Sequence, residues 1–155
     1  MILIVGYGNS LRCDDGAGPA LARMVTGACG RKDLRLLTVQ QLGPEMAEIL
    51  AAPEVTAVIF MDASVAASRN SVDGMVEKIE LCSGAGKMRS PISGHYFPPA
   101  ELLAYSKFLY GAVVPAWLVT IPGFDFGFGE YLSEETEKLL PALTEKVKKV
   151  IHDLS

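Results

Sequence analysis

Three short apolar runs, separated by stretches of helical periodicity, constrain the fold of this chain more than any other feature. The runs are Ile2–Val5, Leu34–Val39 and Val55–Met61. Short apolar runs rich in β-branched residues are typical of strands that are buried on both faces of a sheet. Between the runs, Pro19–Ala28 and Pro44–Ala52 carry apolar residues at helical spacing. Strands that alternate with helices in this way predict a parallel α/β sheet.

The second half of the chain predicts two more strands of different kinds. Charged and apolar residues alternate in Met75–Leu81, which indicates a strand exposed on one face, so we expect it at an edge of the sheet and antiparallel to its neighbour. Pro98-Pro99 introduces a helix, and Val113–Ile121 is a further strand. We therefore predict a single three-layer sandwich: a mostly parallel five-stranded twisted sheet with helices on both faces and one antiparallel edge strand.

The last helix has a clear start and one disruptive residue. Ser133, followed by Glu134 and Glu135, is typical of an N-cap with acidic residues at the positive end of the helix dipole. Pro141 is expected to kink this helix or to break it into two pieces, because proline cannot donate a backbone hydrogen bond. We find no repeat and no linker, and we interpret residues 1–155 as one domain.

Composition excludes several classes of protein. With 155 residues, 50% of them hydrophobic and a net charge of -4, the chain can bury one core and is not disordered. No apolar stretch approaches the roughly 18 residues of a membrane span, and the first residues lack a basic leader, so we expect a cytoplasmic protein that does not enter membranes. Because Lys and Arg are dispersed, nucleic acid is not an expected partner. The three cysteines show no C-x-x-C pair and are interpreted as reduced thiols.

The position of a ligand site follows from the predicted sheet. In open parallel α/β sheets, ligands bind beyond the carboxyl ends of the strands, where connections diverge to opposite sides. If the first and third strands flank that point, the loop Gly6–Gly18 and Asp62 converge there. The loop opens as Gly6-x-Gly8, but Leu11 occupies the place of the third glycine of a dinucleotide fingerprint, and the acidic pair Asp14-Asp15 would repel a phosphate. No nicotinamide or flavin cofactor is therefore expected.

Three side chains form a candidate metal site. One of Asp14 and Asp15 is expected to cap the following helix, which leaves the other to face Asp62. Two carboxylates about 5 Å apart repel by roughly 3 kcal/mol at an effective dielectric near 20, which favours a shared proton or a bound cation. His95 lies in a glycine-flanked loop where no apolar periodicity explains it, whereas His152 is a solvated helix-end residue. Two carboxylates and one imidazole suit Ni, Zn, Fe or Mn and leave coordination positions open.

The loop Gly6-x-Gly8-Asn9-x-Leu11-x-x-Asp14-Asp15-Gly16-x-Gly18 strongly resembles the signature of the hydrogenase maturation endopeptidases. The resemblance covers nearly the whole chain, through Gln41-Leu42-x-Pro44-Glu45-Met46-Ala47, Met61-Asp62-Ala63, the His95 loop, Ile121-Pro122-Gly123 and Gly129-Glu130-Tyr131-Leu132-Ser133. It implies a five-stranded α/β sandwich and a peptidase that removes the C-terminal extension of a nickel-iron hydrogenase large-subunit precursor after nickel insertion.

The resemblance also implies roles for individual residues. It assigns catalysis and metal contact to Asp15, Asp62 and His95, with nickel carried by the precursor and other divalent ions such as Zn as alternative occupants. Our hypothesis is that the nickel fixes the scissile peptide in the crevice, and that a water on the metal attacks the carbonyl. Asn9 and the backbone amide of Gly8 are candidates for substrate binding or for stabilising an oxyanion.

Two other functions remain open at the level of sequence. One is a Rossmann-like regulatory module that binds a small molecule or a nucleotide and uses the acids as helix caps. The other is a non-hydrolytic nickel checkpoint protein, which would bind a nickel-loaded precursor without shortening it.

Overall fold

A computed structural model describes residues 1–66, 73–80 and 97–154 of the chain. Five strands and four helices occur in these residues, together with a short 3₁₀ helix, Cys13–Gly16. In chain order they are β1 (Ile2–Tyr7), α1 (Ala17–Cys29), β2 (Leu34–Val39), α2 (Met46–Leu50), β3 (Ala57–Val65), β4 (Met75–Lys78), α3 (Pro99–Tyr110), β5 (Ala116–Gly123) and α4 (Glu134–Asp153).

The five strands form one sheet in the order β2-β1-β3-β5-β4. The pairs β1–β2, β1–β3 and β3–β5 are parallel, and β4 pairs antiparallel with β5 at the edge. The predicted mostly parallel sheet with an antiparallel edge strand is therefore confirmed. β1 and β3 are neighbours, so the connections that leave them diverge to opposite sides, as the predicted ligand site requires.

Helices cover both faces of the sheet, and alternate residues of the central strands point into two separate cores. Ile4 and Ile59 pack with α1 and α4 in one core, whereas Leu3 and Phe60 pack with α2 and α3 in the other. Double-sided burial of this kind explains why these strands read as continuous apolar runs. In the part of the chain that the structure describes, every helix is too short or too polar to traverse a lipid bilayer.

β3 extends further than the sequence predicted, and this extension positions Asp62. The prediction ended the strand at Met61, but Asp62 lies inside β3, which continues to Val65. Pairing between β1 and β3 stops at Gly6 and Met61, whereas β5 stays paired with β3 as far as Val65. Asp62 is therefore the first residue of β3 beyond the last β1 pair, at the place where the sheet opens.

α4 begins as predicted but does not break. Ser133 is the N-cap, and its hydroxyl oxygen accepts a hydrogen bond from the Thr136 N–H at 3.3 Å. The helix runs from Glu134 to Asp153 as one element with Pro141 inside it, so the predicted break into two pieces is wrong. Buried residues on both sides of Pro141, Leu140 and Leu143 among them, hold the helix on the sheet. Tertiary packing of the apolar face therefore outweighs the missing backbone donor.

Replacing the cap of α4 is expected to destabilise the protein modestly. The Ser133 hydroxyl also lies 2.7 Å from Asp14 Oδ2 and 3.0 Å from the Thr136 hydroxyl oxygen, so Ser133→Ala removes three contacts. We expect a loss of about 1–2 kcal/mol in the free energy of unfolding, measured by urea denaturation. Ser10→Ala, at an exposed loop position, is the matched control and should change it by less than about 0.5 kcal/mol. Equal stabilities for the two variants would contradict the assigned cap.

Candidate functional site

A cleft of about 520 Å³ opens at the carboxyl end of the sheet. Its walls come from the loop after β1, the segment after β2 and the end of β3. The residues that line it are Tyr7, Gly8, Arg12, Asp15, Gln40, Gln41, Leu42, Asp62, Ala63, Ser64 and Phe97. Three of the predicted site residues, Gly8, Asp15 and Asp62, are thus in one cleft, at the position that the predicted topology indicated.

Asp15 is held in the cleft by the loop that follows β1. It lies in the 3₁₀ helix, and its Oδ2 accepts the backbone N–H of Asn9 at 2.8 Å. The Asn9 Oδ1 in turn accepts the N–H of Leu11 at 3.0 Å. The side-chain oxygen of Asn9 is therefore engaged in shaping the loop, and its role in binding substrate or an oxyanion stays a prediction.

At two positions of the loop, Gly8 and Gly18, there is no room for a side chain. Gly8 adopts φ +143°, and a side chain there would overlap the carbonyl oxygen of Asp15. A Cβ at Gly18 would lie 2.7 Å from the carbonyl oxygen of Tyr7 and would overlap that of Met61. The start of α1 therefore rests directly on the ends of β1 and β3, where only glycine permits so close an approach. This packing brings Asp15 to the same edge of the sheet as Asp62.

The carboxyl group of Asp62 has an unusual protonation equilibrium. Its pKa is raised from 3.8 to about 6, chiefly because burial withdraws the carboxylate from water. A hydrogen bond from Tyr7 opposes the shift, and the negative charge of Asp15 adds to it. Asp15 and Asp62 are thus close enough to interact electrostatically. A cation bound between them would relieve both the repulsion and the desolvation.

Asp14, the other member of the acidic pair, has a structural role. It is fully buried, and its carboxylate accepts hydrogen bonds from the N–H groups of Phe124 (2.7 Å), Asp125 (2.9 Å) and Ser133 (2.7 Å) and from the Ser133 hydroxyl. Burial alone would raise the pKa of Asp14, but these hydrogen bonds outweigh it and hold the pKa below 3.8. The prediction that one acid of the pair caps α1 is wrong, because Gly16 is the N-cap and no side chain caps that helix.

The third predicted ligand, His95, lies outside the described residues. Within residues 1–66, 73–80 and 97–154, no group of three or more His, Cys, Asp or Glu side chains could hold a metal ion. Asp15 and Asp62 supply hard carboxylate oxygens from two separate elements. A borderline divalent ion such as Ni or Zn accepts such oxygens together with an imidazole nitrogen, so the two acids fit the predicted donor set, in which His95 is the imidazole.

Sequence reasoning missed two residues of the cleft. Tyr7 is the last residue of β1, and its side chain forms the hydrogen bond to Asp62. A tyrosine at the end of an otherwise aliphatic strand was the available signal. Arg12 brings the positive charge of a guanidinium to a cleft that holds two carboxylates, and its Nη2 donates to the carbonyl oxygen of Phe126 at 3.3 Å. The cleft therefore contains both signs of charge.

Comparison with known proteins identifies the fold. No protein-family model matches the sequence, and no curated protein matches it. Among solved structures, the [NiFe] hydrogenase maturation protease HycI from Thermococcus kodakarensis KOD1 superposes with a TM-score of 0.68 and 22% identity, covering 97% of this chain and 92% of that one. The hydrogenase maturating endopeptidase HybD from E. coli superposes with a TM-score of 0.71 and 17% identity, covering 98% and 92%. A hydrogenase 2 maturation peptidase from Thaumarchaeota archaeon SCGC_AB-539-E09 gives 0.68 and 18%, covering 97% of each chain.

The chain has the fold of the hydrogenase maturation proteases. The superpositions cover nearly the whole chain and nearly the whole of each neighbour, so the maturation-protease fold describes all of its layers and not one motif. The five-stranded sandwich that the sequence resemblance implied is confirmed. The candidate cleft lies on this fold where β1 and β3 end.

Proposed function

We propose that this chain is an endopeptidase that removes the C-terminal extension of a nickel-iron hydrogenase large-subunit precursor after nickel insertion. The observation that carries the proposal is the shared cleft of Asp15 and Asp62 on a maturation-protease fold. The signature loop supplies Asp15, and the opening of the sheet beside β1 leaves the half-buried Asp62 in the wall of the cleft. Fold likeness and cleft chemistry are separate lines of support.

Electrostatics disfavour the nucleotide-binding alternative. Asp15 and Asp62 place two acidic groups at the edge of the sheet where a phosphate would bind, and neither acid is used as a helix cap. The raised pKa of Asp62 shows that a negative charge is disfavoured at this end of the cleft, and a phosphate would add further negative charge there. A cationic ligand is the better match, and nickel carried by the precursor provides one.

The ligand role belongs to Asp15, Asp62 and His95 in this proposal. The nickel is part of the substrate, which makes cleavage conditional on metal insertion, and as a Lewis acid it would polarise the scissile carbonyl. Tyr7 orients the Asp62 carboxylate through its hydrogen bond. Gly8 lines the same cleft, but its N–H already donates to the Val39 carbonyl at 3.1 Å, so the guanidinium of Arg12 is the better placed donor to a carbonyl oxygen that gains negative charge.

Intact mass measurement of precursor large subunits tests the proposal. Several precursors, nickel-loaded and nickel-free, are incubated with the purified chain. We expect one loaded precursor to lose its extension, and its nickel-free form to stay intact. Asp15→Asn and His95→Ala should each slow processing by about 10²–10³-fold, the usual cost of losing one preorganised polar group in an active site. Asp153→Asn, at an exposed position on α4, is the control and should leave the rate of processing unchanged.

The alternatives give different results in the same assay. A checkpoint protein would co-purify with the loaded precursor and leave its mass unchanged. A nucleotide module would do neither, and its ligand binding would survive His95→Ala. Wild-type activity that persists in both Asp15→Asn and His95→Ala would overturn the assigned site.

The proposal also places the chain in the cytoplasm, acting as a single domain. Cys13 is buried and Cys29 half-buried, and both thiols are free. Unpaired thiols are typical of a reducing compartment. The third cysteine, Cys82, lies outside the described residues.

A further inference from the structure

β2 offers a free edge beside the candidate site. It pairs with β1 on one side, and no other strand of the described residues lies beyond it. The Ile2 N–H donates to the Asp33 carbonyl, and the Gly8 N–H to the Val39 carbonyl. In a parallel ladder the backbone groups of alternate residues face the same partner. The N–H and C=O groups of Arg35, Leu37 and Val39 therefore face β1, and those of Leu36, Thr38 and Gln40 face outward.

The free edge leads directly into the cleft. A second cleft of about 160 Å³ lies along the end of β2 and is lined by Gly8, Ser10, Arg23, Thr38 and Gln40, among others. Gly8 and Gln40 also line the larger cleft that holds Asp15 and Asp62. The two clefts are therefore neighbours, and together they form a groove from the acidic centre to the end of β2 at Thr38.

We propose that the free edge of β2 binds the C-terminal extension of the precursor as an added antiparallel strand, an inference that rests on the endopeptidase function proposed above. An extended peptide has the unpaired backbone groups that Leu36, Thr38 and Gln40 complement. Arg23 forms no ion pair with any described residue. Its charge in the groove favours an acidic group on the peptide.

The direction of the added strand follows from the position of the cleft. The cleft lies at the carboxyl end of β2, and the scissile bond must lie in the cleft. The extension follows the scissile bond, so its chain runs away from the cleft, from the Gln40 end of β2 toward the Leu34 end. This direction is opposite to that of β2, and the added pair is antiparallel.

Thr38→Pro, compared with Thr38→Ala, isolates one outward N–H. Both variants lose the Thr38 side chain, but only proline removes the N–H, and it leaves the ladder to β1 intact because that N–H faces outward. With the precursor that the wild-type chain shortens, we expect Thr38→Pro to raise KM about tenfold relative to Thr38→Ala, with kcat unchanged. A precursor trimmed to a two-residue extension should not distinguish the variants.

Amide exchange on the wild-type chain provides a second measurement. A synthetic peptide with the sequence of the extension should protect the amides of Leu36, Thr38 and Gln40, whereas those of Leu37 and Val39 are already paired with β1. Leu36→Pro repeats the kinetic test if Thr38→Pro does not fold. If the wild-type chain shortens a precursor but the proline variants match Thr38→Ala, or the outward amides gain no protection, the inference is wrong and the endopeptidase function stands.

Another occupant of the edge would also be recognised. If the wild-type chain is a dimer that Thr38→Pro separates without a change in KM, the edge pairs with a second copy and the inference is wrong. If the wild-type chain shortens none of the precursors, the endopeptidase function itself fails, and with it the inference.

Discussion

Asp62→Asn is expected to abolish most of the processing activity and, at the same time, to stabilise the folded protein at neutral pH. If Asp62 contacts the metal as proposed, the activity loss should be about 10²–10³-fold, because an amide lacks the negative charge of the carboxylate. The stability gain has a separate cause. The carboxyl group of Asp62 has a pKa near 6 in the folded protein, and its ordinary value is 3.8.

The sign of the stability effect follows from proton binding. Because the folded pKa is the higher one, the folded state binds this proton more tightly than the unfolded state does. Below pH 3.8 the group is mostly protonated in both states and does not lower the free energy of unfolding. As the pH rises from about 4 to about 6, folding must increasingly accommodate a buried charge, and the cost is complete above about pH 7. The difference between a pKa of 3.8 and one of about 6 corresponds to about 2–3 kcal/mol.

Urea denaturation of wild-type and Asp62→Asn proteins at pH 4, 5, 6 and 7.5, with a chelator present, measures this effect. The variant should match the wild type at the lowest pH and exceed it progressively, by about 1–3 kcal/mol at the highest. Asp73→Asn, a change at an exposed residue beside β4, is the matched control and should show a small difference that does not vary with pH. A variant that is less stable than the wild type above pH 7 would contradict the assigned desolvation.

The opposite responses of activity and stability are themselves informative. A residue that supports only the fold should lose stability when replaced, and a residue kept for function at an energetic cost should gain it. Asp62 pairs with Thr120 in the register of β3 and β5, so its backbone is needed by the sheet. Its charge is not.

The sequence predicted the fold well because the signals involved are local. Apolar runs buried on both faces indicated the central strands, and alternation in Met75–Leu81 indicated the edge strand, which the structure places at β4. Ser133 with the glutamates after it located the start of α4. Each of these signals depends on neighbours within a few residues along the chain.

The errors arose where distant residues decide the outcome. Asp62 was expected at the end of its strand, because nothing local shows that β5 continues to pair with β3 as far as Val65. Pro141 was expected to kink α4 or to break it into two pieces, and the break was wrong because the sequence does not show the core that holds both halves of the helix. Asp14 is the structural acid of the pair and Asp15 the acid in the cleft. This assignment depends on a loop more than 100 residues away, as the Asp14 contact with Phe124 shows.

The different roles of Asp14 and Asp15 give the second large prediction. Asp14→Ala is expected to destabilise the protein by about 3–5 kcal/mol, because it removes a buried carboxylate and leaves the N–H groups of Phe124, Asp125 and Ser133 without their acceptor. Asp15→Ala, the neighbouring change, removes one hydrogen bond among the described residues, that to the Asn9 N–H, and relieves the repulsion of Asp62, so it should cost no more than about 1 kcal/mol. The two variants differ by one position and should differ several-fold in their effect on stability, measured by urea denaturation.

The activity of the same variants should follow the reverse order. Asp15→Ala keeps the fold and should lose processing, whereas Asp14→Ala at low temperature should retain partial activity in the fraction that stays folded. The pH dependence offers an independent check, because the folded pKa of Asp14 is below 3.8. Its contribution should be complete above about pH 4 and should disappear as the pH falls through the folded pKa. If Asp15→Ala were the more destabilising change, the loop after β5 would not depend on Asp14, and the roles of the acidic pair would have to be exchanged.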